Sequence, residues 1–244
     1  MSALLRAELL KLRTTRTFFA LTGSAVALSL LVVVLTATLI DGITEREARE
    51  LFLSDFTGLF ILLLGVIGMA GEWRHRTITS TVLAAPVRTR LMAAKALSYA
   101  VAGAVISFIV TVTIMAVGTL ILSARDETTV GAGDLADVLW RNLVLAAFLG
   151  AFGVCIGALV RNQIVAIVGL LVFSFALEPA LIAVASQVGQ FGPTVGAPNG
   201  FVELNAFADD EKQLAPAVAL MVMVGWVALG FGAGAALLRR RDLV

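Results

Sequence analysis

Long apolar runs without charge, separated by charged segments, pattern the chain from end to end. The first, 18–40, holds 23 uncharged residues. At about 1.5 Å per residue, a helix of that length crosses the roughly 30 Å of a bilayer core with some tilt. Further runs at 56–71, 96–122, 142–160, 164–185 and 214–238 predict five more spans, the fifth interrupted by Glu178-Pro179. None alternates with the period of two that a lipid-facing barrel strand needs. The runs therefore predict helices, which satisfy their own backbone inside lipid. Ahead of the first span, 1–17 sets Leu5, Leu9 and Leu12 on one helical face, with Arg6, Lys11, Arg13 and Arg16 around it. That is the pattern of a short basic helix lying in the interface. The run behind it exceeds the roughly 7–15 residues of a signal-peptide core and closes without a small-residue cleavage site, so it reads as a retained span. The expected fold is an all-α polytopic membrane protein, a single transmembrane domain over 1–244 with six transmembrane helices.

Composition agrees. Hydrophobic residues make up 59% and charged residues 14%, with a mean hydropathy of +0.99, against about 45–50% and 25% in soluble domains. A soluble enzyme and a disordered chain are both excluded. A net charge of +1 speaks against a nucleic-acid partner. One cysteine precludes an internal disulfide, and one histidine precludes a His-rich metal site. The distribution of charge says more. Segments 1–17, 72–95, Arg161 and the tail 239–241 hold 13 of the 18 Lys/Arg, whereas 41–55, 123–141 and 186–213 are net acidic. Basic loops mark the cytoplasmic side. Both termini are therefore expected in the cytoplasm, with the chain a multi-pass protein of the plasma membrane.

Motif chemistry is sparse. A P-loop needs a lysine directly after a glycine, and none of Lys11, Lys95 and Lys212 follows one. The chain is not expected to be an enzyme or to hold a cofactor or metal. Gly230 and Gly234 lie mid-span without a preceding strand, so with Gly153 and Gly157 they read as close helix-packing faces; Cys155 reads as a small core residue. Glu178 is the one acidic residue placed within a span, about 21 Å along from Ile164. It reads as a helix terminus at the outer interface, with Pro179 starting a new segment. The alternative is a proton- or substrate-linked carboxylate.

The cytoplasmic segment 72–95 is the longest and most basic on its side. Ile78, Val82 and Leu83 fall on one helical face that Pro86 ends, which makes a short amphipathic docking surface. Glu72-Trp73-Arg74, then Thr77-Ile78, then Pro86 with Arg88 and Arg90, then Lys95, with Arg239-Arg240-Arg241-Asp242 at the end, resemble the membrane subunit of type-2 ABC exporters. Arg76 and Ala94 stand where that family often has glycine. The resemblance implies an N-terminal elbow helix over 1–17 and a coupling element built from Glu72, Arg74, Arg76, Thr77, Ile78, Val82, Pro86, Arg88 and Arg90. It implies a separate ATPase subunit that binds ATP and Mg, a second permease copy (identical or not), and an external segment 186–213 that dips back into the membrane. The expected function is export of a lipophilic or amphipathic substrate. The rivals are a non-transporting scaffold or immunity protein and a proton-coupled carrier using Glu178.

Overall fold

The computed structural model describes residues 2–75, 77, 87–160, 162–204 and 213–240. Among them the chain is helical, without strands. Six segments are long and apolar enough to cross a membrane: Arg16–Leu39, Glu45–Arg74, Arg88–Ala124, Ala132–Leu159, Gln163–Val184 and Pro216–Leu238. In chain order the helices are α1 (Ser2–Thr14), α2 (Arg16–Leu39), α3 (Glu45–Leu53), α4 (Thr57–Arg74), α5 (Arg88–Ala124), α6 (Ala132–Leu159), α7 (Gln163–Val172), α8 (Glu178–Val184), α9 (Ser186–Gly189), α10 (Gly196–Val202) and α11 (Pro216–Arg240).

Several helices outrun the uncharged windows. α5 begins at Arg88 and α4 continues to Arg74, so the segment 72–95 is helical at both ends and only 75–87 lies between the two helices. Lys and Arg are good helix formers, and their apolar stems lie along a helix while the charged heads reach water. A change from apolar to charged residues therefore does not end a helix. α6 likewise starts at Ala132, with Asp134 in its first turn, where the helix dipole favours an acid. Between the first two spans lies α3, closed at its start by a capping box in which Thr44 and Glu47 exchange side-chain-to-backbone bonds.

α6 forms the centre. A Cβ on Gly153 would come within 2.3 Å of the Leu62 carbonyl oxygen, and one on Gly157 within 2.7 Å of that of Val66. Only glycine lets the α4 and α6 backbones pack this closely. On its other side, α6 meets α5, where a Cβ on Gly103 would approach the Ala146 carbonyl oxygen to 2.5 Å. α2, the α7–α8 segment and α11 surround this core and turn large apolar residues such as Leu35, Val168 and Leu229 outward. Their inward stripes are narrow: Ala25, Ser29, Val33 and Ala37 on α2, and Ala166, Leu170, Ser174 and Glu178 along the fifth span.

Glu178 does not end that span. The helix widens into a π turn over Phe173–Leu177 and continues through α8 to Val184. Pro179 has no N–H to give, and the wider turn sits directly before it.

The two ends of the bundle differ. α1, the end of α4 and the start of α5 meet through Glu8, Glu72 and Lys95, and Arg88 donates to the Leu238 carbonyl near the end of α11. The described start and end of the chain therefore share one end of the bundle, here the α1 end. At the opposite end, Arg49, Asp137, Arg141 and Glu203 tie α3 and α6 to the turn after α10.

Candidate functional site

α1 carries Leu4, Leu5, Glu8, Leu9 and Leu12 on its inward face, so Glu8 enters the bundle with the leucines. There the Lys95 Nζ donates to Glu8 Oε2 at 2.6 Å and to Glu72 Oε1 at 2.8 Å, and to the Gly68 carbonyl at 3.3 Å. Lys95 is only 1% exposed. Lys11, at the rim, adds bonds of 2.9 Å to Glu8 Oε1 and 3.4 Å to Glu72 Oε1. Burial alone would push the Glu8 carboxyl upward, but Lys95 and Lys11 outweigh it and hold that group below its ordinary 4.5. Two carboxylates and two ammonium groups balance in charge. Such a buried set is tolerated because its members are paired, and removing one member leaves a charge without compensation.

This cluster ties α1 to the two helices that flank 75–87. Of the expected coupling residues, Glu72 lies in it, and the Thr77 N–H donates to the Glu72 carbonyl at 3.0 Å. Arg88 joins the base of α5 to α11, while Arg74 and Arg90 face outward at the same end. Arg76, Ile78, Val82 and Pro86 lie outside the described residues. The sequence pointed to Lys95 only as one of the residues of the resemblance, without a partner, and did not point to Glu8. The available signal was an acid on the leucine face of an otherwise basic segment.

Glu178 sits elsewhere and makes a different structure. Its carboxylate is 1% exposed. It accepts from the backbone N–H groups of Thr194 (3.0 Å to Oε2), Val195 (2.8 Å) and Gly196 (2.8 Å), and from the Thr194 hydroxyl. A Cβ on Gly192 would lie 2.1 Å from its Oε1, so glycine is what lets the strand of chain pass. The side chain thus clasps the stretch between α9 and α10 to the fifth span. The Trp226 indole N–H, donating to the Phe191 carbonyl at 2.7 Å, holds the same stretch to α11. Gly230 of α11 faces Cys155, and Gly234, one turn on, faces Met92 and Ala158.

A third polar group lies where α4 begins. The Asp55 Oδ1 accepts from the Thr57 N–H at 3.0 Å, its Oδ2 accepts from the Thr111 hydroxyl at 3.1 Å, and the Asn142 Nδ2 donates to the Phe52 carbonyl at 2.9 Å. This network ties the turn between α3 and α4 to α5 and α6. Among the described residues, no three His, Cys, Asp or Glu side chains converge as metal ligands.

Six bilayer-length helices around a glycine-packed centre define the class: an all-helical, multi-pass membrane protein. No protein-family model matches the chain, and no curated protein matches it.

Proposed function

We propose that the chain is the permease subunit of an ATP-binding cassette exporter, moving a lipophilic or amphipathic substrate across the plasma membrane with a separate ATPase subunit. The observation that carries this reading is the Glu8–Lys95–Glu72 cluster, which joins the N-terminal helix to both helices flanking 75–87. A push that reaches the end of α4 or the start of α5 is then delivered to α1, α4 and α5 together. The resemblance of 72–95 to type-2 exporters supports the same reading, as does the charge distribution. The flanks at the α1 end are basic, which supports a cytoplasmic location for that end and both termini, where an ATPase works. α1 is then the elbow helix, and the α9–α10 stretch the external element folded back on the bundle. In the mechanism, ATP binding closes two partner ATPase subunits, the segments beneath two permease copies approach, and the bundles rock between inward- and outward-open states.

The test is purification of the tagged chain from its native membranes in mild detergent. A co-purifying ATPase whose hydrolysis rate changes on reconstitution into vesicles supports the proposal. A chain that purifies alone and supports no ATP-dependent flux contradicts it. Flux that persists without ATP and collapses with the proton gradient would instead favour the carrier reading.

A further inference from the structure

Between α1, the first turn of α2, α4 and α5 lies a cavity of about 510 Å³, within the range of small-molecule sites, about 300–1,000 Å³. Its walls are of two kinds. Leu64, Ile67 and Tyr99 line it from the apolar runs, and Lys11 and Glu72 line it from the charged flanks. Two of these polar side chains are more than nine-tenths buried and incompletely bonded. The Glu72 Oε2 has no hydrogen-bond partner, although its Oε1 takes both lysines. Among the described residues the Tyr99 hydroxyl, on a side chain 6% exposed, has no partner either. Lys11 is half exposed at the mouth.

The geometry points to a binding site for a phospholipid whose headgroup carries a primary ammonium, with its phosphate received by Lys11 and the Tyr99 hydroxyl, its ammonium by Glu72 Oε2, and its acyl chain laid along Leu64 and Ile67. Three features select that chemistry. The wall offers both signs of charge in balance, so a zwitterion suits it better than a plain anion or cation. The open acceptor on Glu72 needs a donor, which an ammonium has and a trimethylated headgroup lacks. The cavity spans the level at which apolar helix gives way to charged flank, which is where a phospholipid's headgroup meets its first methylenes. Glu72 Oε2 is itself enclosed, so taking the ammonium requires the carboxylate to turn about its soft terminal torsion and to share its lysines with the ligand. The site does not depend on whether the chain couples to an ATPase.

The test uses the purified full-length chain in detergent and two probes with the same acyl chain, lysophosphatidylethanolamine and lysophosphatidylcholine, titrated by calorimetry. The ethanolamine probe is expected to bind about tenfold or more tightly, as a charge-assisted bond that only one headgroup can make requires. Tyr99→Phe is expected to weaken it about three- to tenfold without moving the thermal midpoint. Ile67→Trp, which fills the apolar wall, should abolish binding of both probes. Glu72→Gln should bring the two affinities together. Where that variant does not fold, the Tyr99 and Ile67 variants decide. Equal affinity of the two probes for the wild type, or unchanged binding in Ile67→Trp, overturns the proposal. Competition by free phosphoethanolamine as strong as that by the lysolipid overturns the assignment to a lipid.

Discussion

Lys95 is the residue on which the α1 end depends. It is enclosed between two carboxylates and a carbonyl, and Lys11 at the rim reaches those carboxylates only from one side. Replacing Lys95 by Met leaves two buried acids short of their cation, which commonly costs about 3–5 kcal/mol. A large fall in the thermal midpoint of the detergent-solubilised chain is the expected reading. Adding Glu8→Leu and Glu72→Leu should recover more than half of it, because an apolar replacement of the whole set leaves no charge uncompensated. Glu8 carries a pH dependence. Its folded value lies below its ordinary 4.5, so its contribution is present above that ordinary value and fades as pH falls through the lower folded one. The thermal midpoint should hold from pH 7 to about pH 5 and drop below that. Glu8→Gln should begin lower and lose that part of the acid decline. Glu8 did not stand out in the sequence, and Lys95 did so only through the resemblance to type-2 exporters, not as a buried partner of two acids. Glu8 was hidden by four basic neighbours in the same segment, and Lys95 sits at the edge of an apolar run where a flanking charge is ordinary.

Among the elements, the six spans were legible because their residues are apolar on every side, a property that needs no knowledge of partners. Their ends were not. α5 reaches back to Arg88 and α6 to Ala132, since charge marks where a helix leaves lipid rather than where it stops. α3 has a readable signal in Thr44 and Glu47, the Thr-x-x-Glu capping pattern, within the acidic segment 41–55, where the apolar pattern predicts no span. The glycine faces could be read as packing surfaces, although their partners, Leu62 and Val66 for Gly153 and Gly157, are set by tertiary structure. Glu178 was visible, but its role was not, because its partners are backbone N–H groups 16 to 18 residues away. As a clasp it predicts a local effect. Glu178→Ala leaves the amides of Thr194, Val195 and Gly196 without their acceptor, and each orphaned group costs about 1–3 kcal/mol. Hydrogen exchange at those three amides should rise at least tenfold while the amides in the centre of α6 keep their protection. Equal exchange before and after the substitution would show that the clasp does not hold the segment.

On the scale of the whole molecule, the α1 end collects the chain's described start and end together with the basic flanks, and the opposite end collects the Arg49–Asp137–Arg141–Glu203 network. The charge rule turns that division into a topology. In a Cys155→Ala background, a single cysteine at Gly133, where the added side chain meets nothing within 4 Å, should react with an impermeant thiol reagent applied outside intact cells. One at Arg90, exposed at the α1 end, should react only after the membrane is opened. Labelling of the Arg90 position from outside would invert the orientation and remove the ATPase from reach of 72–95.

The central claim is that the segment joining α4 to α5 in sequence receives work from an ATPase. It is tested most directly by replacing 77–87 with a Gly/Ser linker of equal length and measuring ATP-driven flux of the reconstituted complex. Glu8, Glu72 and Lys95 stay in place, so the bundle should insert and melt as the wild type does. The account predicts that this variant loses its ATPase on purification and transports at the background rate. Transport at the wild-type rate with the ATPase still bound would contradict it.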